Sequence, residues 1–96
     1  MQNLNKSIIL FVDDEPAILR SLQRIASKVD ATILTASSGF EALEIIESSH
    51  VDVIVSDINM PNMDGNQLLE QVAQISPETV RIVLTGCDNM DTVLNV

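Results

Sequence analysis

The chain is 96 residues long, room for one domain and not for two. Its 14 acids against 5 bases give a formal net charge of −9, which excludes a surface for nucleic acid or anionic lipid, since both need basic patches. The core must be aliphatic, because Phe11 and Phe40 are the sole aromatic residues; one cysteine, Cys87, excludes an internal disulfide, and no apolar run approaches a membrane span.

Residues 7–12 form an apolar run that ends on Asp13 and Asp14, the pattern of a strand buried on both faces. Pro16 then marks a helix start, where a missing N–H costs nothing, and Ile18, Leu19, Leu22, Ile25, Ala26 and Val29 follow at helical spacing. Residues 32–36 read as a second strand. Ser38 with Glu41 three residues on has the form of a capping box, and the helix it opens carries Ala42, Leu43, Ile45 and Ile46 inward. A third strand over 51–56 runs into Asp57. Pro61, Asn62, Asp64 and Gly65 make a loop. The next helix presents Leu68, Leu69, Val72, Ala73 and Ile75 on one face, and Ser76-Pro77 stops it. Residues 80–84 form a fourth strand before Thr85-Gly86, and Asp88 or Asn89 can cap a last segment carrying Met90, Val93 and Leu94.

Strand and helix thus alternate, with buried strands and amphipathic helices, which predicts a parallel sheet with helices on both faces. Ligands of such sheets bind at the carboxyl ends of the strands. There the chain has Asp13-Asp14, Asp57 and Thr85-Gly86. If the first, third and fourth strands are neighbours, three carboxylates and a hydroxyl share one pocket. At an effective dielectric near 20, two like charges about 4 Å apart repel by about 4 kcal/mol. A hard divalent cation offsets that repulsion, and Mg²⁺ with a phosphoryl group suits this donor set.

Three segments carry a family resemblance: Asp13-Asp14-Glu15-Pro16, then Asp57-Ile58-Asn59-Met60-Pro61-Asn62-Met63-Asp64-Gly65, then Leu84-Thr85-Gly86. The chain resembles the receiver domain of bacterial two-component response regulators over nearly all of 1–96. The resemblance implies a flavodoxin-like, doubly wound α/β fold with strand order 2-1-3-4. It also implies that a fifth strand and helix are missing here, so that the domain is incomplete at its C-terminal end and the fourth strand is a bare edge able to pair with a second copy.

By the same resemblance, Asp57 takes a phosphoryl group from a histidine kinase, and Asp13, Asp14, Asp57 and the main-chain carbonyl of Asn59 bind Mg²⁺. Thr85 then hydrogen-bonds the phosphoryl group, and a surface switches for an output domain or partner. Such a protein is cytoplasmic and is no enzyme beyond self-catalysed phosphotransfer and slow dephosphorylation. The family's lysine at the end of the fifth strand has no counterpart, since nothing basic follows Arg81. The stretch from Arg81 to Asn95 resembles receivers joined to HD-type phosphodiesterase domains.

Plainer readings stand beside these. Asp13 and Asp14 precede a helix and are candidates for its cap. Met60 and Met63 read as loop packing, Gly65 as backbone geometry, His50 as a solvated histidine, Cys87 as a bystander thiol, and Glu41, Glu44 and Glu47 as a solvated helix face. An interaction module that needs no phosphorylation is the alternative function. A small metal-dependent phosphatase ranks last, since the sequence offers no separate general acid or base.

Overall fold

Short β-branched runs alternate with amphipathic ones, and each folds according to its period. The computed structural model describes residues 6–84. In chain order the elements are β1 (Ser7–Val12), α1 (Pro16–Ala26), β2 (Ala31–Ala36), α2 (Gly39–Ser48), β3 (Val53–Asp57), α3 (Gly65–Ile75) and β4 (Val80–Leu84). The described sheet is wholly parallel, as the alternating pattern predicts, with the strand order β2-β1-β3-β4 that the family resemblance implies. No helix among the described residues is long and apolar enough to cross a membrane.

Alternation along each strand sorts side chains onto two faces. Leu10, Val12, Ala36 and Ile54 pack with Ala42 and Ile46 of α2, Leu68 and Val72 of α3, and the loop methionines Met60 and Met63. This is the larger core, and it confirms the methionines as packing residues. On the other face Phe11 packs with Leu19 and Ala26 of α1, flanked by Ile9, Leu22, Ile33 and Val55. Val80, Ile82 and Leu84 are in register with Val53, Val55 and Asp57 and so share that face, yet they are 55%, 42% and 38% exposed.

Several local expectations shift. α1 stops at Ala26 with Ser27 as its C-cap, so Val29 lies beyond it. Only Leu19 and Ala26 of its apolar set are buried, while Ile18 and Ile25 are exposed. Among the described residues α1 alone covers its sheet face, so its flank has no neighbouring helix to pack on. At α2 the capping box is half made. Ser38 Oγ accepts the Glu41 amide, but the Glu41 carboxylate turns to the Ser37 amide and hydroxyl. The full box lies at α3, where Asp64 and Gln67 cap each other reciprocally. β3 begins two residues later than expected and takes in Asp57, whose partner on β4 is Leu84. The segment around Met90 lies outside the described residues.

One acid sets the entry to the sheet. Asp52 Oδ2 accepts the Ile8 amide at 2.7 Å, the Asp52 amide donates back to the Ile8 carbonyl, and the Val80 amide donates to the Asp52 carbonyl. His50 Nε2 lies 2.8 Å from Asp52 Oδ1, so this exposed histidine has a partner that its local sequence did not announce as one. The Ile8 amide, and after it His50, hold the Asp52 carboxyl below its ordinary value. A depressed carboxylate contributes stability above its unfolded value and loses it as pH falls through the folded one. Asp52→Ala therefore lowers the melting temperature at neutral pH, and in thermal melts its gap from wild type closes below pH 3.8. A gap of equal size in acid contradicts this role.

Candidate metal centre

β1 and β3 lie side by side with Val12 opposite Ser56, so the next residues, Asp13 and Asp57, leave adjacent strands at the same level. Asp14 follows at once. Oxygens of the three carboxylates lie within 4.8 Å of one another. Asp13 is buried at 6% exposure, Asp57 is half-buried and Asp14 is exposed. The gathering expected at the strand ends is therefore present for these three.

Asp13 is held on two sides. Its amide donates to the Ala36 carbonyl at the end of β2 (3.1 Å), and its Oδ1 accepts the Glu15 amide (2.9 Å). The N-cap of α1 is Glu15, which makes no side-chain cap bond. Neither Asp13 nor Asp14 is the cap, and the plainer reading of the acidic pair falls away. Burial pushes the Asp13 carboxyl above its ordinary value, and the Glu15 amide opposes that shift. The charges of Asp57, Asp14 and Glu15 raise it further.

The loop after β3 is tied down by its backbone. The Ile58 amide donates to the Leu84 carbonyl of β4 (3.3 Å), and the Gly65 amide donates to the Ile58 carbonyl (2.9 Å). Asn62 takes a left-handed φ of 72°, a conformation that asparagine tolerates better than most residues. Asn59 lies exposed in this loop, two residues past Asp57. Thr85 and Cys87 lie outside the described residues. Two residues that fix the strands had no local signal: Asp52, at the opposite end of the sheet, whose main-chain partner is 44 residues away, and Ser56 beside the site, whose hydroxyl donates to the Asp57 carbonyl.

The donor set consists of carboxylate oxygens. The ion pairs among the described residues, Lys6–Asp30 and His50–Asp52, leave the cluster without a cationic partner. Three converging acids, one of them buried against its charge, fit a hard divalent cation that takes oxygen ligands.

The sequence model of the response regulator receiver domain matches residues 9–96. The DNA-binding transcriptional regulator NtrC of Escherichia coli strain K12 is 35% identical over 92 residues, 96% of this chain and 20% of that protein. The chain thus spans about a fifth of the length of this relative. The signal receiver domain of an HD domain-containing protein from Pseudomonas fluorescens Pf-5 superposes with a TM-score of 0.84 at 34% identity, over 94% of this chain and 72% of that one. The response regulator TrrA from Thermotoga maritima, solved in complex with Mg²⁺-BeF, gives a TM-score of 0.81 at 31% identity, over 92% and 76%.

The repulsion within the cluster makes a stability prediction. A carboxyl with a raised pKa weighs against folding once the pH exceeds its unfolded value of 3.8. Asp13→Asn keeps the oxygen that accepts the Glu15 amide and removes the charge. In metal-free buffer at neutral pH it raises the melting temperature, and it shrinks the further rise that Mg²⁺ gives the wild type. A variant less stable than wild type without metal contradicts this account.

Proposed function

The chain belongs to the response-regulator receiver family, and from that premise we propose that Asp57 is its phosphoacceptor, charged by a histidine kinase to switch a surface of the domain. One Asp57 carboxylate oxygen attacks the phosphorus of a phosphohistidine. The O–P bond forms as the N–P bond breaks, and the imidazole nitrogen leaves with the electron pair, so an acyl phosphate results. The single observation that carries this reading is the meeting of Asp13, Asp14 and Asp57 at the carboxyl ends of two adjacent parallel strands.

The remaining roles follow the chemistry of that cluster. Asp13, Asp14, Asp57 and the main-chain carbonyl of Asn59 would hold Mg²⁺, which when bound neutralises charge on the phosphoryl oxygens. Asp13, tied between β1, β2 and the start of α1, orients the others; Asp14, exposed, faces the incoming donor. The Thr85 hydroxyl donates to a phosphoryl oxygen once Asp57 is modified and biases the domain between two arrangements. Receiver domains are signalling modules rather than classical enzymes, and the chemistry proposed here is self-catalysed transfer followed by slow loss of the phosphoryl group. The setting is cytoplasmic, beside the kinase. An HD-type output is supported by the Pseudomonas fluorescens structure and by the resemblance of residues 81–95.

A second reading rests on a separate observation. Val80, Ile82 and Leu84 form an exposed apolar row on the outermost described strand. Such a row suits a protein contact, a second copy being the simplest partner. Sedimentation at rising concentration distinguishes this: a dimer weakened by Ile82→Lys supports it, and a monomer throughout counts against it.

The phosphoacceptor reading is tested by incubating the chain with Mg²⁺ and a small acyl-phosphate donor and recording the intact mass. The wild type gains one phosphoryl group, and Asp57→Ala gains none. No gain in the wild type, or an equal gain in the variant, contradicts it.

A further inference from the structure

Ser56 is a polar residue in a place where an aliphatic one would pack. It is fully buried, in register with Val12 on β1 and Val83 on β4, and so faces the larger core. A buried hydroxyl among aliphatic neighbours weighs against folding unless it is paired. Its Oγ donates to the carbonyl of the next residue, Asp57, at 2.9 Å.

The same carbonyl is crowded by α3. A Cβ added at Gly65 would lie 2.4 Å from the Asp57 carbonyl oxygen and 2.9 Å from Ile58 Cα, both backbone atoms with no freedom to swing aside. The Gly65 amide holds the Ile58 carbonyl, and the Ile58 amide is bonded to the end of β4. The peptide joining Asp57 to Ile58 is therefore held at its oxygen by Ser56, at its nitrogen by Leu84, and packed against the first residue of α3.

We propose that Ser56 is a positioning residue for Asp57, its buried hydroxyl fixing the Asp57–Ile58 peptide so that the carboxylate is aimed at Asp13 and Asp14 before any ligand arrives. The claim rests on the reading of Asp57 as the phosphoacceptor. A carboxylate on a fixed peptide meets its partners without a search, whereas one on a peptide free to rock is misaligned for part of the time, and small misalignments are costly in rate. Gly65 serves the same peptide sterically, since a side chain there would meet the Asp57 carbonyl oxygen and Ile58 Cα.

The test compares wild type, Ser56→Ala and Ser56→Cys, the last of similar size with a weaker donor. Melting temperature, Mg²⁺ affinity, the phosphorylation rate from a small acyl phosphate at saturating Mg²⁺, and hydrogen exchange of the Ile58 amide are measured on each. Ser56→Ala stays folded with a melting temperature close to wild type, since the lost bond to the Asp57 carbonyl is offset by no longer burying a hydroxyl. Its phosphorylation rate falls about three- to tenfold, its Mg²⁺ affinity weakens, and the Ile58 amide exchanges faster; Ser56→Cys lies between. A merely structural role moves the melting temperature and leaves the rate at saturating Mg²⁺ unchanged. A wild-type rate and unchanged Ile58 exchange in Ser56→Ala overturn the proposal. If the wild type itself takes up no phosphoryl group, the phosphoacceptor reading fails instead. The positioning claim then stands or falls on Ile58 exchange and Mg²⁺ affinity, and is overturned if neither changes.

Discussion

The site depends on β1 and β3 lying parallel and adjacent in one register. Pairing Val12 with Ser56 makes the residues that follow, Asp13 and Asp57, leave the sheet together, although 44 positions separate them in the chain. A slip of one residue would turn every side chain of one strand to the opposite face and drive Leu10 or Ile54 out of the core. The register is pinned at both ends. At the amino end Asp52 bonds the Ile8 backbone through its side chain and its amide. At the carboxyl end the Asp13 amide reaches β2 and the Ile58 amide reaches β4. The carboxylates are thus delivered by main-chain geometry, since Asp57 closes β3 and Asp13 directly follows β1.

That geometry is held against an electrostatic cost. Asp13 is buried, and the charges of Asp57, Asp14 and Glu15 act on it without a cation nearby among the described residues. A fold that needed only stability would place neutral residues there. The cost is met by the aliphatic core beneath, where Leu10, Val12, Ile54, Leu68 and Val72 are almost wholly enclosed. A divalent cation, placed among these oxygens, would turn the same repulsion into binding energy. Ser56 belongs to the same arrangement, as a polar group in the core whose one described side-chain bond runs to the main chain of Asp57.

Much of this was legible in the residues, for reasons that also mark the limit. Strands buried on both faces leave continuous apolar runs, and parallel strands end on the functional rim, so Asp13, Asp14 and Asp57 stood out at once. Local chemistry misled where two neighbours offered the same bond. Ser38 and Glu41 have the form of a capping box, but Ser37 captures the Glu41 carboxylate; Asp64 and Gln67 make the complete one from within a stretch that reads as loop. Periodicity in α1 overstated burial, because a helix pattern tells which side is apolar and not whether anything covers it; Ile25 is 68% exposed. Asp52 and His50 were opaque, since the bond that gives Asp52 its role is to an amide on another strand. Thr85 remains an expectation from its motif, outside the described residues.

The most direct test of this account is a calorimetric titration of the metal-free chain with Mg²⁺ at fixed ionic strength, beside Asp14→Ala and Asp57→Ala. The carboxylate cluster predicts one saturable site per chain in the wild type and a markedly weaker one in each variant. The same affinity in all three proteins, or no saturable heat in the wild type, would contradict the claim that β1 and β3 are paired to build a cation site around Asp57.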